Sequence, residues 1–514
     1  MAAILSTLRL SKSENQNAQA TRIAVQGIED PFFFGLFASI LMDLLKRKPI
    51  WVDFLQIRSI NGAIGTGLKA KLARSWVIAY LFNNQWARAN RGLIGEVTYR
   101  SQPFFWALGR HKDRRLALQL WDEMKGLGHP DQLRAKGIQI GDLVIDSYLR
   151  FRPSPRFDIN DPFVFMILQQ AVRDLDLAFK YFSKSRPRLY LSSYSTYIEH
   201  GIPARVAVSI GINVRVYGNF VKFGKKLSAN DTYHTADTSQ YRLKFEALTN
   251  EDKDAALRSA HKQLKHRLSG GIDSATSYMS VSAYSPSGED IPNVAGAIVI
   301  FLHDFYDSPH IFPDLIFPDF WTWVCFTTQT LSDAGIPFCL KPHPNQILLS
   351  KGVLLELKQL FPQVHFISSK INNAELANGH MACGVTVYGT VAHELAYFGI
   401  PTITCARHPH ASFGFCRTAK TVDEYRQMLL SPSILPLSKE EMQRQALAFY
   451  YMHNLYGTRE EQDLKIAFIH FWKTCNAVDP NPELIRKSLL KLKSIPEWST
   501  HLSKIINGLE NHEY

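Results

Sequence analysis

The sequence predicts two α/β domains in tandem, each built on a parallel sheet, followed by a helical C-terminal region. Strand-like and helix-like stretches alternate from about residue 21 to 218, and the alternation resumes from 296 to 420. The chain has 514 residues, which is too long for one compact core. The hydrophobic content of 46% and charged content of 20% are those of an ordinary globular protein.

Changes in pattern along the chain set the expected boundaries. A polar stretch without regular alternation separates the two domains, which are expected to face a cleft that holds a ligand at the carboxyl ends of their strands. The expected segments are a flexible N-terminus at 1–20, an acceptor-side domain at 21–218, an interdomain segment at 219–295, a nucleotide-binding domain at 296–420 and a helical region at 421–514.

The elements of the first domain follow from short patterns. The glycine-rich stretch "NGAIGTGLKAKLARS" lacks the Lys-Ser/Thr of a P-loop and is interpreted as a loop that enters a helix. In chain order we predict a strand "TRIAVQGI", a helix "PFFFGLFASILMDLLKRK" with Pro31 in its first turn, strands "IWVDFLQI" and "GLIGEVTYRS", a long amphipathic helix at about 161–182, a strand "RPRLYLSS", a helix "GIPARVAVSIG" and a strand "INVRVYG".

The second domain repeats this organisation. Its first strand, "GAIVIFLHD", is apolar and ends in polar residues. The elements that follow are a helix "FWTWVCFTTQTLSDAG", a strand "PFCLKPHP", a helix "SKGVLLELKQLF", strands "VHFIS" and "GVTVYG", a helix "TVAHELAYFG" and a strand "PTITC".

Charge and cysteine usage restrict the partners. A formal net charge of +12 favours anionic partners, but the basic residues are scattered and no nucleic-acid-binding signature occurs. We therefore expect phosphorylated substrates or an anionic membrane face, and no nucleic acid. The six cysteines form no CxxC pair, which predicts free thiols in a reducing compartment. With no signal-peptide pattern at the start, we expect a cytoplasmic protein.

One early apolar run raises the question of a membrane contact. The stretch Pro31–Met42, "PFFFGLFASILM", is shorter than a membrane span and is followed by Asp43 and a basic cluster. A core helix is the expected assignment. A peripheral contact with the inner face of the cytoplasmic membrane stays open.

The stretch "SGGIDS", from Ser269 to Ser274, matches the phosphate loop of the ATP pyrophosphatases. Such a loop needs a buried strand before its glycines and a helix after them. The residues that precede it, Asp252–Leu268, are charged and carry apolar residues at helical spacing. We therefore interpret Gly270 and Gly271 as a helix stop followed by a turn.

Polar residues gather where three predicted strands of the second domain end. "FLHDFYDSPH" carries His303, Asp304, Asp307 and His310, which line a cleft or cap a helix on the simplest interpretation and could bind a divalent ion on another. "LKPHPN" places Lys341, His343 and Pro344 just after a strand. In "VYGTVAHE", Gly389 permits a tight turn, Thr390 stands at a helix N-terminus and Glu394 lies one turn further.

Each of these motifs has an ordinary structural interpretation. Thr390 could simply cap its helix, and Glu394 could be a satisfied helix carboxylate. The "KPHP" segment could be a surface turn. Together, at neighbouring strand ends, they favour a nucleotide site, because free N–H groups at a helix start and a nearby lysine attract phosphate.

"KPHP" followed by "YGTVAHELAYFGIPTIT" resembles the donor domain of bacterial capsule and surface-polysaccharide glycosyltransferases, which have the two-domain architecture called GT-B. Sialyltransferases and Kdo transferases, which use CMP-activated donors, share the His-Pro motif and a downstream Ser or Thr. The segments "IGDLVIDSYLR" and "YSTYIEHGIPARVAVSIGI" also look like parts of capsule-biosynthesis proteins, so the resemblance covers roughly residues 130 to 410. This sequence departs from many relatives in having Tyr388 before the glycine.

The resemblance implies a GT-B-like fold of two Rossmann-like domains that face a cleft. It implies transfer of a sugar from a nucleotide-activated donor, CMP-linked sugars included, to a glycan or a lipid-linked acceptor. His343 would contact the nucleotide, Thr390 the phosphate and Glu394 the ribose. GT-B enzymes generally need no metal, because helix dipoles and basic residues stabilise the leaving phosphate, so no cofactor or metal is expected.

The catalytic base is expected in the first domain, because an inverting transfer needs a carboxylate or imidazole near the acceptor hydroxyl. Asp142 and Asp146 share a face if their stretch is helical. Glu199 and His200 stand at a strand–helix junction. Each of the four could equally cap a helix or form a salt bridge, and Arg205 could bind an acidic acceptor or face solvent.

Three further functions stay open. Teichoic-acid polymerases, which transfer polyol phosphates, share a GT-B-like domain and a His-Pro motif. A non-catalytic glycan-binding partner of an export complex would bind without turnover. An ATP pyrophosphatase would need the "SGGIDS" loop to bind ATP.

Overall fold

The computed structural model divides the chain into two compact units. The first comprises Met1–Arg152, Asp158–Thr235 and Gly457–Tyr514, and the second Pro153–Phe157 and Ala236–Tyr456. The residues described are 2–8, 20–28, 30–56, 89, 92–93, 97–101, 111–152, 154–276, 284, 288–343 and 349–510. The glycine-rich stretch at 61–75 and Pro344 lie outside them.

The first unit contains a six-stranded sheet and a two-stranded hairpin. The strands of the sheet are β1 (Thr21–Gln26), β2 (Ile50–Gln56), β3 (Val97–Ser101), β6 (Leu189–Ser192), β7 (Asn213–Val216) and β8 (Lys225–Lys226); the hairpin consists of β4 (Arg134–Ala135) and β5 (Ile138–Gln139). The order is β3-β2-β1-β6-β7-β8, and every neighbouring pair is parallel except β7 with β8.

Nine α-helices are described in the first unit. They are α1 (Ala2–Leu8), α2 (Pro31–Leu45), α3 (His111–Gly126), α4 (Gly141–Phe151), α5 (Pro162–Ser185), α6 (Tyr197–Ser209), α15 (Arg459–Cys475), α16 (Pro482–Ser494) and α17 (Pro496–Glu510). The last three follow the second unit in sequence.

Helix α2 lies in the core of this unit, as the sequence predicts for its apolar run. Asp30 caps the helix by accepting a hydrogen bond from the backbone N–H of Phe33 at 2.9 Å, and Pro31 occupies the first turn. The ring of Phe32 packs against Phe468 and Phe471 of α15, with centroid distances of 5.3 and 5.4 Å. Among the described helices, none is long and apolar enough to cross a membrane.

The second unit contains a six-stranded sheet in which all neighbouring strands are parallel. Its strands are β9 (Ile298–Phe301), β10 (Phe338–Lys341), β11 (His365–Phe366), β12 (Cys383–Val385), β13 (Thr402–Thr404) and β14 (Arg417–Thr418). Its helices are α7 (Tyr241–Glu246), α8 (Asn250–Leu268), α9 (Phe320–Asp333), α10 (Ser350–Leu360), α11 (Asn373–Asn378), α12 (Val391–Tyr397), α13 (Val422–Leu430) and α14 (Lys439–Asn454).

The two sheets share one feature of topology. In the second unit the order is β11-β10-β9-β12-β13-β14, so the chain builds outward from β9 and then returns to its other side with β12. In the first unit it does the same around β1 and returns with β6. The predicted α/β class with parallel sheets is confirmed. Such a topological switch point opens a crevice at the carboxyl ends of the two central strands, where ligands of this fold class bind.

Candidate functional site

A histidine and a threonine join the two strands at the switch point of the second unit. His303, two residues after β9, contacts the hydroxyl of Thr386, the first residue after β12, with 3.1 Å between Nε2 and Oγ1. The His303 ring stacks on Phe320 at a centroid distance of 4.7 Å and also contacts Tyr388. Burial lowers the pKa of His303 to about 3, with a smaller contribution from His343, so the ring is neutral at pH 7.

Lys341 brings a buried cation to the same edge of the sheet. It is the last residue of β10, which lies directly beside β9, and is only 5% exposed. Within the part of the chain that the structure describes, its ammonium group has no hydrogen-bond or ion-pair partner. Burial lowers the pKa of Lys341 to about 8, and the charges of Glu394 and Glu375 act in the opposite direction. An ammonium group in this environment favours an anionic ligand.

The other predicted residues of this region are placed as follows. His343 is partly buried, and its pKa is lowered by burial, raised by Asp304 and lowered by Lys341, so these three side chains interact electrostatically. Asp304 accepts hydrogen bonds from the backbone N–H of Tyr306 at 3.2 Å and from the Ser350 hydroxyl at 3.1 Å. The switch point thus brings Lys341, His343, His303 and Asp304 into one cluster.

Asp307 and His310, from the same loop, are placed differently from each other. The side chain of Asp307 is exposed and accepts a hydrogen bond from the backbone N–H of Ser308 at 2.9 Å, whereas His310 is buried. Across the described ranges, no group of three or more His, Cys, Asp or Glu side chains is arranged to hold a metal ion.

Gly389 and Thr390 stand at the start of the short helix α12. A Cβ atom added to Gly389 would lie 2.8 Å from Oγ1 of Thr386, so it is close packing that favours glycine here. Thr390 is exposed, and its side chain makes no capping hydrogen bond. Its predicted contact with a phosphate remains a prediction.

Glu394 is fully buried and its two oxygens accept hydrogen bonds from three side chains. Oε1 accepts from Arg267 Nη2 and from the Tyr284 hydroxyl, each at 2.5 Å, and Oε2 accepts from Asn373 Nδ2 at 2.7 Å. The predicted role in ribose binding remains a prediction. Oε2 has room for one more hydrogen bond, but Glu394 is fully buried, so a sugar hydroxyl could reach it only if the surrounding side chains moved.

The "SGGIDS" stretch belongs to this buried network. The predicted helix precedes it as α8, Ser269 is the C-cap, and Gly270 has a φ of 93°, which confirms the helix stop and turn. Asp273 is buried and accepts hydrogen bonds from the backbone N–H and the hydroxyl of Thr276, both at 2.8 Å, and from the Tyr450 hydroxyl. Its carboxylate therefore holds the turn against α14.

A second polar cluster occupies the switch point of the first unit. Gln26, the last residue of β1, is buried, and its Oε1 accepts hydrogen bonds from Ser192 Oγ at 3.0 Å, Ser193 N at 2.9 Å and Ser193 Oγ at 2.8 Å. Its Nε2 contacts Nδ1 of His200 in the first turn of α6. The amide of Gln26 thus connects β1, the end of β6 and α6.

Glu199 and His200, two of the predicted catalytic residues, lie together at this point. Oε1 of Glu199 lies 3.4 Å from Nε2 of His200, and the two side chains are 12% and 13% exposed. Burial lowers the pKa of His200 to about 4, so its ring is neutral at pH 7.

Asp146 and Arg205 lie in a separate buried cluster of the first unit. Asp142 and Asp146 both lie on α4, which confirms that this stretch is helical. Arg205 forms a bidentate pair with Asp142, with Nη1–Oδ1 and Nη2–Oδ2 distances of 2.7 and 2.5 Å, and is 6% exposed. Burial acts to lower the pKa of Arg205, but Asp142 and, to a smaller extent, Tyr233 and Asp146 raise it above its ordinary value; Asp146 is 1% exposed. Of the four candidate bases, Asp142 and Asp146 are thus less accessible than Glu199 and His200.

Residues that sequence reasoning missed complete the cluster around His200. The Tyr194 ring lies edge-on to both His200 and His234, at centroid distances of 6.0 and 5.3 Å. Nδ1 of His234 lies 3.3 Å from the Ser195 hydroxyl. Burial, together with Lys225 and His200, lowers the pKa of His234 to about 3. Ser192 and Ser193 were visible in the sequence as the polar end of an apolar strand. Gln26 and His234 carried no such signal.

No family model matches the sequence, and no curated protein does. Solved structures with similarity include KpsC of Thermosulfurimonas dismutans, a β Kdo 2,4 transferase, with 14% identity and a TM-score of 0.32 over 51% of this chain and 79% of that one. A UDP-GlcNAc 2-epimerase of Methanocaldococcus jannaschii has 10% identity and a TM-score of 0.25, over 83% of this chain and 98% of that one. The glycosyltransferase SnogD of Streptomyces nogalater has 11% identity and a TM-score of 0.21, over 84% of this chain and 95% of that one. These scores are too low to transfer a role.

Proposed function

We propose that this protein is a glycosyltransferase of bacterial surface or capsular polysaccharide assembly. It would bind a nucleotide-activated sugar, with CMP-linked sugars among the candidates, in the second unit and transfer the sugar to a glycan or lipid-linked acceptor. The sequence resemblance to capsule glycosyltransferases suggests this reaction. Each of the two sheets has a switch point that carries a polar cluster, which supports a ligand site in each unit.

The observation that carries the proposal is the Lys341 ammonium group. A buried cation that forms no ion pair within the described residues costs free energy in the unliganded protein, and a ligand that supplies negative charge at this edge would offset that cost. A phosphate of the donor has that charge. The neutral ring of His303 and the hydroxyl of Thr386, at the same switch point, are hydrogen-bonded to each other, so the pair keeps one donor for the same group.

The proposed reaction needs no metal ion. The acceptor hydroxyl oxygen forms a bond to the anomeric carbon of the donor sugar, and the bond from that carbon to the phosphate oxygen breaks. The nucleotide leaves with the electron pair, its charge stabilised by Lys341 in place of a metal. The proton of the acceptor hydroxyl passes to a base of the first unit, for which Glu199 and His200 are the candidates.

We also propose that the protein works in the cytoplasm, in peripheral contact with the inner face of the membrane. The six cysteines are free thiols, in keeping with a reducing compartment such as the cytoplasm. The net charge of +12 suits a peripheral contact with an anionic inner membrane surface, where a lipid-linked acceptor would be found.

A donor panel tests the proposed function. The purified protein is incubated with CMP-, UDP- and GDP-linked sugars and with CDP-linked polyols, together with a membrane extract as the source of acceptors. Release of the free nucleotide and the linkage in the product are measured. A glycosidic product made by wild type, and lost in Lys341→Met, is expected.

The other outcomes separate the alternatives. A phosphodiester linkage in the product would indicate polyol-phosphate transfer of the teichoic-acid type. Nucleotide binding without any turnover would favour a non-catalytic glycan-binding partner of an export complex. Pyrophosphate release from ATP would indicate that the protein is an ATP pyrophosphatase instead.

A further inference from the structure

The orientation of the Gln26 amide is fixed by the hydrogen bonds around it. The backbone N–H of Ser193 can only donate, and it lies 2.9 Å from the amide atom assigned as Oε1. That atom must therefore be the oxygen. The hydroxyls of Ser192 and Ser193 donate to the same oxygen at 3.0 and 2.8 Å. With the oxygen so placed, the NH₂ group of Gln26 faces His200.

The facing amide group fixes the protonation of the His200 ring. The NH₂ group of Gln26 has donors only, and its contact is Nδ1 of His200, so Nδ1 must accept and carries no proton. A neutral imidazole has one N–H, which therefore lies on Nε2. That nitrogen is 3.4 Å from Oε1 of Glu199. The nitrogen that carries the proton is thus the one that lies beside the carboxylate.

We infer that Gln26 is a positioning residue that holds His200 as the Nε2–H tautomer, and that Glu199 is therefore the proton acceptor of the transfer reaction. Neither nitrogen of His200 is left to take a proton from an acceptor hydroxyl, because Nδ1 accepts from Gln26 and Nε2 already carries hydrogen. The proton on Nε2 lies on the nitrogen 3.4 Å from the Glu199 carboxylate, where it stabilises the negative charge of that group. This inference rests on the proposed function for the reaction, but its account of the tautomer does not.

The remaining groups around His200 do not change this assignment. Tyr194 and Tyr197 contact the ring edge-on or tilted, at centroid distances of 6.0 and 6.4 Å. His234 interacts with His200 electrostatically, and its Nδ1 faces the Ser195 backbone N–H and hydroxyl. Glu199 is the acidic side chain in direct contact with the ring.

The tautomer is measured without turnover. Protein labelled with ¹⁵N in its histidines is studied by long-range ¹H–¹⁵N correlation at pH 7.5, and His200 is assigned by comparison with His200→Gln. We expect Nδ1 to show the shift of an unprotonated nitrogen and Nε2 that of a protonated one. In Gln26→Glu a carboxylate replaces the NH₂ donor, so the proton should move to Nδ1. A protonated Nδ1 in wild type, or no change in Gln26→Glu, would overturn the role of Gln26.

Turnover then tests the role of Glu199. Glu199→Gln should lower kcat by about 10²- to 10⁴-fold with a small change in KM, which is the usual contribution of a general base. His200→Gln keeps an N–H donor and should stay within about tenfold of wild type, whereas His200→Ala should lose more. Equal losses in His200→Gln and Glu199→Gln would show that His200 is the base. If wild type has no transferase activity, the proposed function fails while the tautomer result stands.

Discussion

Arg267 and Glu394 form a buried ion pair in the second unit, with 2.5 Å between Nη2 and Oε1. The two residues are far apart in sequence and join the end of α8 to α12. Tyr284 donates to the same carboxylate oxygen and also contacts Arg267 at 3.0 Å. Since Arg267, Tyr284 and Glu394 are all buried, loss of the carboxylate leaves the Arg267 charge without its ion-pair partner.

Glu394→Gln is therefore expected to destabilise the second unit severely. The substitution leaves the Arg267 charge buried without its partner, which typically costs about 3–5 kcal/mol. Urea unfolding followed by fluorescence measures the free energy of unfolding. The control is Glu356→Gln, which breaks the exposed pair with Arg156 and should cost less than about 1 kcal/mol. Equal effects in the two variants would contradict the structural role of Glu394.

Lys341→Met should raise stability while it abolishes nucleotide binding. The pKa of Lys341 is lowered to about 8 from 10.5, so the folded state disfavours the ammonium form. Stability is therefore lost as the pH falls from 10.5 towards 8, by up to about 3 kcal/mol at neutral pH. Methionine retains the packing and removes this cost. A loss of stability at pH 7 would contradict the account of an unpartnered lysine.

Stability should fall in mild acid because several histidines are buried in the neutral form. Burial lowers the pKa of His303, His408 and His501 to about 3 and that of His200 to about 4. Between these values and the unfolded value near 6.5, the unfolded chain binds more protons than the folded one. The free energy of unfolding is thus highest above pH 6.5. It declines below that pH by up to about 1.4 kcal/mol per pH unit for each residue.

Urea unfolding at pH 7.5, 6.0 and 5.0 measures this decline. The matched variant is His501→Phe, whose ring can keep the contact with Phe223 but cannot titrate. We expect a shallower pH dependence in the transition of the first unit. A pH dependence identical to that of wild type would show that His501 is not buried as a neutral ring.

Gly389→Ala should weaken ligand binding more than it weakens the fold. The added methyl group would lie 2.8 Å from Oγ1 of Thr386 and displace the hydroxyl that contacts His303. We expect nucleotide affinity to drop about tenfold, which corresponds to the loss of roughly one hydrogen bond. The control is Gly352→Ala, within α10, where a Cβ would meet no atom within 4 Å. This variant should bind normally and gain up to about 1 kcal/mol of stability. Normal binding by Gly389→Ala would exclude Thr386 from the site.

Most of the alternating strands and helices could be predicted because hydrophobic periodicity is a local property, whereas short elements such as α11, β8 and β14 were missed. The start of α2 at Pro31 and the helix before Gly270 could be predicted from local sequence as well. The partners of Glu394 were not, because Arg267 and Tyr284 lie 127 and 110 positions away and are brought together only by the fold. Gln26 was missed for a related reason. A glutamine at a strand end has no motif, and its role appears only when β6 returns beside β1.

Nucleotide binding by wild type and Lys341→Met tests the central claim most directly. Calorimetric titration with CMP, CDP, UDP and GDP at pH 7 measures the dissociation constants. We predict that wild type binds at least one of them, that Lys341→Met binds none, and that the wild-type affinity declines as the pH rises through 8. Equal binding by both proteins, or no binding by wild type, would contradict the placement of a nucleotide site at this edge of the second sheet.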